Sequence, residues 1–114
     1  MPLAISMHYG KGDRGPDFVV EVAERDGTVK DITTATSPLY YVYDLVNSIM
    51  LVNGSADGVT VVPPNKIKRV IQPSDTATEI EDAVAWFTYQ LGGKVESTYA
   101  VGFIVSERWK RVML

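Results

Sequence analysis

"SPLYYVYDLVNSIMLVNG", residues 37–54, is the longest apolar stretch in the chain, and the architecture turns on how it is read. Its ends carry helix-terminus chemistry: Thr36 or Ser37 in the N-cap position, Pro38 at the first helical position and Asn53-Gly54 as a stop. At 100° per residue, Leu39, Val42, Tyr43, Val46, Ile49 and Met50 share one face, and Tyr41, Leu45 and Val52 widen it. Only Asp44, Asn47 and Ser48 form a polar strip. This pattern predicts a helix over 38–52 that is buried on two sides, within the domain or against another subunit.

On the N-terminal side, residues 3–9 are expected to form a strand, followed by the glycine-rich stretch "GKGDRG" (10–15) and then "DFVVEVAERDGTVKDIT" (17–33). In the last segment Phe18, Val20 and Val22 alternate with Val19, Glu21 and Ala23, and Asp26-Gly27 suits a tight hairpin. On the C-terminal side, 58–62 and 66–72 are expected to be strands joined through Pro63-Pro64-Asn65. A second helix is predicted from Thr76 and Glu79, at capping-box spacing, to Gly92-Gly93, with Ile80, Ala83, Val84, Phe87 and Leu91 as its core stripe. The remainder is expected to be a closing hairpin that turns at Ser106-Glu107. The expected fold class is therefore α+β, a largely antiparallel sheet of about five to seven strands with two helices in the order βββ-α-ββ-α-ββ, one domain over residues 1–114.

Composition sets the bounds on function. With 46% hydrophobic and 22% charged residues, the chain has the make-up of a folded domain rather than a disordered one. It has no cysteine, which removes disulfides, thiolate metal sites and cysteine nucleophiles. No signal peptide or membrane span is expected, and the default location is cytoplasmic. The net charge of −3 gives no overall attraction for nucleic acid, although Lys66, Lys68 and Arg69, and then Arg108, Lys110 and Arg111, make two basic groups.

Few residues suggest chemistry. Gly10, Gly12 and Gly15 have the spacing G-x-G-x-x-G, but a strand is expected after them in place of the helix whose N-terminus would hold a pyrophosphate. The favoured reading is a turn; the alternative is an anion-binding loop using Lys11 and Arg14. His8 is the only histidine and no nucleophile motif accompanies it. "NGSADG" (53–58) imitates the start of a calcium loop, but Pro64 stands where the bidentate Glu should be. No metal or cofactor is expected.

The predicted second helix points to binding instead. Asp82, Trp86 and Tyr89, at i, i+4 and i+7, fall away from its core stripe, and with Tyr41 they form the candidate partner-binding set. The sequence thus predicts a small non-enzymatic interaction domain, an inhibitor, adaptor or assembly subunit of a kind common among phage proteins. Its expected partner is another protein or a second copy, as a homo-oligomer, with no membrane partner. The alternative is a nucleotide- or nucleic-acid-binding module using Lys11, Arg14 and the basic groups at 66–69 and 108–111, as in "ERWKR", where basic residues flank an aromatic.

Overall fold

In the computed structural model, which describes residues 6–107, the stretch 37–54 is a pair of strands and not a helix. The described residues form β1 (Ser6–Gly10), β2 (Phe18–Glu21), β3 (Thr36–Asp44), β4 (Ile49–Ser55), β5 (Val59–Val62), β6 (Lys66–Arg69), β7 (Ile80–Leu91), β8 (Lys94–Ser97) and β9 (Val101–Ser106). Their only helical piece is a single 3-10 turn, Pro73–Asp75. The expected α+β class with two helices is thereby overturned in favour of a nearly all-β fold.

Both predicted helices failed for a physical reason. Along β3, Tyr40 and Val42 point into the core while Leu39, Tyr41 and Tyr43 point to the opposite face, so an extended strand is apolar on both sides. Aromatic and β-branched side chains favour that pleated surface. The tip of the hairpin is tied by Asp44, whose carboxylate accepts from the Val46 amide (2.9 Å), the Asn47 amide (3.1 Å) and Asn47 Nδ2 (2.9 Å). Ser48 completes the turn at φ 56°.

The second predicted helix is β7. Ala83, Ala85, Phe87 and Tyr89 face inward at every second residue. Gly92 and Gly93 do not cap a helix; both have positive φ (59° and 78°), the conformation of a two-residue hairpin turn, and they return the chain from β7 into β8. Thr76, the expected cap, is buried and donates its hydroxyl to the Asp13 carbonyl at 2.6 Å.

The remaining elements lie closer to expectation. Strands form within 58–62 and 66–72, as β5 and β6. The 17–33 segment turns at Gly27, but only Ala23 and Val29 pair there, because β2 takes β6 as its partner. Residues 94–106 do not fold back on themselves. β8 and β9 lie end to end along one edge of β7, with the Thr98 amide donating to the Phe87 carbonyl (2.9 Å) between them. The return strand expected beyond Ser106-Glu107 lies outside the described residues.

Two sheets result. The large one has the order β1-β9-β7-β3-β4 with β8 also on β7, and the small one is β2-β6-β5. Only β1 and β9 run parallel. The small sheet packs on one face of the large one, and Phe18 of β2 meets the rings of Tyr40, Phe87 and Phe103 at centroid distances of 5.8, 5.5 and 6.1 Å. This sandwich core fixes which face of the large sheet is left over.

The hairpin tip should respond to acid. Hydrogen bonding from Asn47 holds the Asp44 carboxyl below its ordinary value. A depressed folded-state value means that the turn is stabilised above the usual carboxylate range and loses that support as pH falls through the folded-state value. Protection of the Val46 and Asn47 amides, taken relative to the intrinsic exchange rate at each pH, should therefore fall on acidification below about pH 4, ahead of protection at core amides such as Phe87. An equal loss of protection at both sites would show that Asp44 does not govern the tip.

Candidate functional site: the outer face of the large sheet

The face of the large sheet turned away from the small one is built from alternate residues of three neighbouring strands. Its apolar members are Leu39, Tyr41 and Tyr43 of β3, Val84 and Trp86 of β7, and Ile104 of β9, and register adds the polar Thr88 opposite Leu39, Asn53 opposite Tyr41 and His8 opposite Ile104. Register brings them together: Tyr41 stands opposite Trp86, and Tyr43 stands opposite Val84 on one side and Met50 of β4 on the other. Directly opposed residues share a face, so these side chains form one surface. The Tyr41 and Trp86 rings stack with centroids 5.4 Å apart and planes 5° from parallel.

An antiparallel sheet with one solvated face normally alternates apolar inside with polar outside. Here the outer positions named above carry no Lys, Arg, Asp or Glu, and each is only partly covered, by its neighbours in the sheet. No strand among the described residues lies over them. At the free edge of the sheet Met50 continues this face opposite Tyr43, and Leu45, Val46, Ile49 and Leu51 are exposed elsewhere on the β3–β4 hairpin. Leu51 and Gly54 are the extra residues where the β3–β4 register shifts. Such bulges blunt an edge against strand addition, so side chains rather than backbone groups make this region adhesive. Gly54 is needed close by: at φ 84° it tolerates the bend, and a Cβ there would stand 3.3 Å from the Tyr41 hydroxyl.

The sequence-predicted partner-binding residues divide between the two faces. Trp86 and Tyr41 are joined as the stacked pair. Tyr89 lies on the inner face, 1% exposed, with its hydroxyl donating to Glu96 Oε1 at 3.1 Å, and burial first, then that bond, raises its pKa. A period of two separates 86 from 89, whereas a period of 3.6 would unite them. Asp82 is exposed beside the register shift between Ile80 and Ala83, two residues before Val84, with its carbonyl accepting from the Leu45 amide at 3.0 Å. Leu39, Tyr43, Val84 and Ile104 were missed as surface residues, because three of them lay in segments predicted to be helical and Ile104 in the closing hairpin. Alternation within "LYYVY" was the available signal.

The anion-site candidates are placed differently. In the glycine loop, the Gly10 amide donates to Asp13 Oδ2 (2.8 Å), Lys11 to the Ser106 carbonyl (2.8 Å), Gly12 to the Thr76 carbonyl (2.8 Å) and Asp13 to the Gly10 carbonyl (2.9 Å). These four donors are engaged, and the Asp13 carboxylate occupies the place an anion would take on the Gly10 amide. Lys11 lies 3.5 Å from Glu107, and Arg14 is exposed. Lys66 and Lys68 lie on the outer surface of the small sheet, Lys66 3.6 Å from Glu21. Arg108, Lys110 and Arg111 lie outside the described residues.

Arg69 does not join this basic group. It is 3% exposed, and its guanidinium makes a two-point contact with Asp75 (Nε to Oδ2 3.2 Å, Nη2 to Oδ1 2.9 Å). Nη1 donates to the Asp57 carbonyl, and the group lies 4.6 Å from the centroid of the Tyr40 ring. With these partners its charge is compensated within the fold. Arg69 and Asp75 form one wall of an open cavity of about 590 Å³ whose other walls include Val42, Leu51, Ile80 and Phe103.

Tyr40 Oη, buried beside that ion pair, finds no partner among the described residues, and burial raises its pKa. No cluster of three or more His, Cys, Asp or Glu side chains among the described residues could hold a metal. None of their helices is long and apolar enough to cross a membrane. Searches against protein-family models, curated proteins and solved structures found no match to this chain.

Proposed function

We propose that this chain is a non-enzymatic protein-interaction domain that acts through the outer face of its large sheet. The observation that carries the reading is the uncharged apolar surface centred on the Tyr41–Trp86 stack. Contiguous apolar surface of this kind marks sites that another molecule covers. Aromatic side chains on such a face are common binding hot spots. The nucleotide-binding alternative has less support, since the glycine-loop amides of residues 10–13 are engaged within the chain and Arg69 is paired internally.

Native mass spectrometry of the full chain, expressed and purified as wild type and as Trp86→Ala, tests this reading. The wild type should carry added protein mass, and Trp86→Ala should lose it. The substitution should change folding stability by less than about 1 kcal/mol, because its site is on the surface of the isolated chain. A wild type that runs as a lone chain and fails to bind a hydrophobic dye would overturn the reading. So would a large stability loss in Trp86→Ala with association unchanged.

A further inference from the structure

We infer that Asn53-Gly54 is a site of spontaneous modification, where the Asn53 side chain converts through a cyclic imide to a mixture of aspartate and isoaspartate. The chemistry is internal to the chain and needs only water. The Gly54 backbone nitrogen bonds to Asn53 Cγ, the Cγ–Nδ2 bond breaks, and ammonia leaves with the proton given up by the Gly54 nitrogen. Water then opens the ring at one of its two carbonyls. Opening at Cγ leaves an ordinary aspartate, and opening at the backbone carbonyl leaves isoaspartate, with the main chain rerouted through Cγ.

Three features single out this asparagine. The first is its neighbour. The chain has three asparagines, at 47, 53 and 65, and only Asn53 precedes a glycine. Gly54 has no Cβ to shield its nitrogen, whereas the side chains of Ser48 and Lys66 crowd the same approach after Asn47 and Asn65.

The second is the freedom of the side chain. Asn53 is exposed, and among the described residues no hydrogen bond holds its side-chain amide. Asn47 Nδ2 instead donates to Asp44 Oδ2 at 2.9 Å, and the buried Asn65 donates from Nδ2 to the Val22 carbonyl at 3.3 Å.

The third is the backbone. For the ring to close, the peptide unit between Asn53 and Gly54 must swing out of its extended geometry, which a strand paired on both sides resists. Among the described residues β4 pairs with β3 alone, at the edge of the sheet. Gly54 is the extra residue between the pairs Tyr41–Asn53 and Tyr40–Ser55, and it takes φ 84°. A bulged edge strand opens locally at lower cost than the middle of a sheet. The product is placed where it alters the surface: Asn53 stands opposite Tyr41, so conversion sets a carboxylate beside the Tyr41–Trp86 stack.

The test holds the full wild-type chain and Asn53→Gln, both shown to be folded by circular dichroism, in mildly alkaline buffer at body temperature for several weeks. A wild-type sample in concentrated urea gives the rate for the unfolded chain. Modified positions are located by fragmenting peptides in the mass spectrometer, and isoaspartate is identified by labelling with an isoaspartyl methyltransferase. In the folded wild type, position 53 should gain the mass difference between a hydroxyl and an amino group and divide into two isomers, one of which takes the label. Asn47 and Asn65 should stay intact over the same period. Conversion should quicken as pH rises, because the attacking nitrogen must lose its proton. Asn53→Gln should lose the conversion at this position, since its longer side chain must close a six-membered ring.

A folded wild type that keeps Asn53 intact while the chain in urea converts overturns the inference, because the strand then holds the reacting atoms apart. So does conversion of Asn47 ahead of Asn53, or a product at 53 that is aspartate alone, which would mean that no cyclic imide forms.

Discussion

Asp75→Ala is expected to cost about 3 to 5 kcal/mol of folding stability, because it strands the Arg69 guanidinium without its counter-charge. Both side chains are almost wholly buried, at 4% and 2% exposure. The carboxylate also accepts from the Gln72 amide at 2.7 Å, so the substitution opens the 3-10 turn as well. The double variant Arg69→Leu/Asp75→Leu should recover a large part of the loss, since a buried ion pair is often replaceable by apolar residues of similar size. Urea denaturation of the three proteins decides the matter. A single-variant loss below about 1 kcal/mol would mean that the guanidinium stays solvated or finds another partner.

Phe18→Ala is the second large effect, at about 3 to 5 kcal/mol. Phe18 is fully buried and is the aromatic ring that β2 inserts among Tyr40, Phe87 and Phe103 of the large sheet. Removing it leaves a cavity between two sheets whose strands cannot readily collapse into it, so the lost contacts add to the lost transfer energy. Comparison with Trp86→Ala is informative. Both remove a large aromatic ring, but at protein concentrations low enough that the chain is unassociated only the first should lower the denaturation midpoint appreciably. Equal losses would mean that the outer face is as deeply structural as the inner one.

The two misread segments share one cause. A helix buried on two sides and a strand apolar on both faces each appear as a continuous apolar run, and periodicity alone cannot separate them. In 37–54 the terminus signals then misled: Pro38 follows Ser37, which takes φ 52° at a register shift in β3, and Asn53-Gly54 sits at a bulge. In 76–91 every second residue from Ala83 to Tyr89 is buried, a period of two that the apparent stripe of Ile80, Val84, Phe87 and Leu91 obscured. Gly92-Gly93 was legible as a hairpin turn as readily as a helix stop. Of the candidate site, Tyr41 and Trp86 were legible as aromatic residues in search of a partner, but their stacking was not. It depends on β3 pairing with β7 across more than forty residues of sequence.

By itself, the sequence determined the absence of thiol chemistry, the scarcity of reactive groups, the excess of apolar and aromatic side chains, and the presence of short strands within 58–62 and 66–72. Those follow from composition and from local turn chemistry, which act within a few residues. Only the tertiary structure decided that the long apolar runs are strands, that Tyr89 belongs to the core while Trp86 belongs to the surface, and that Arg69 pairs inward. The reason is that strand pairing and the choice of buried face are settled by partners distant in sequence. Once the small sheet has claimed one face of the large sheet, every residue of alternate parity is left on the other.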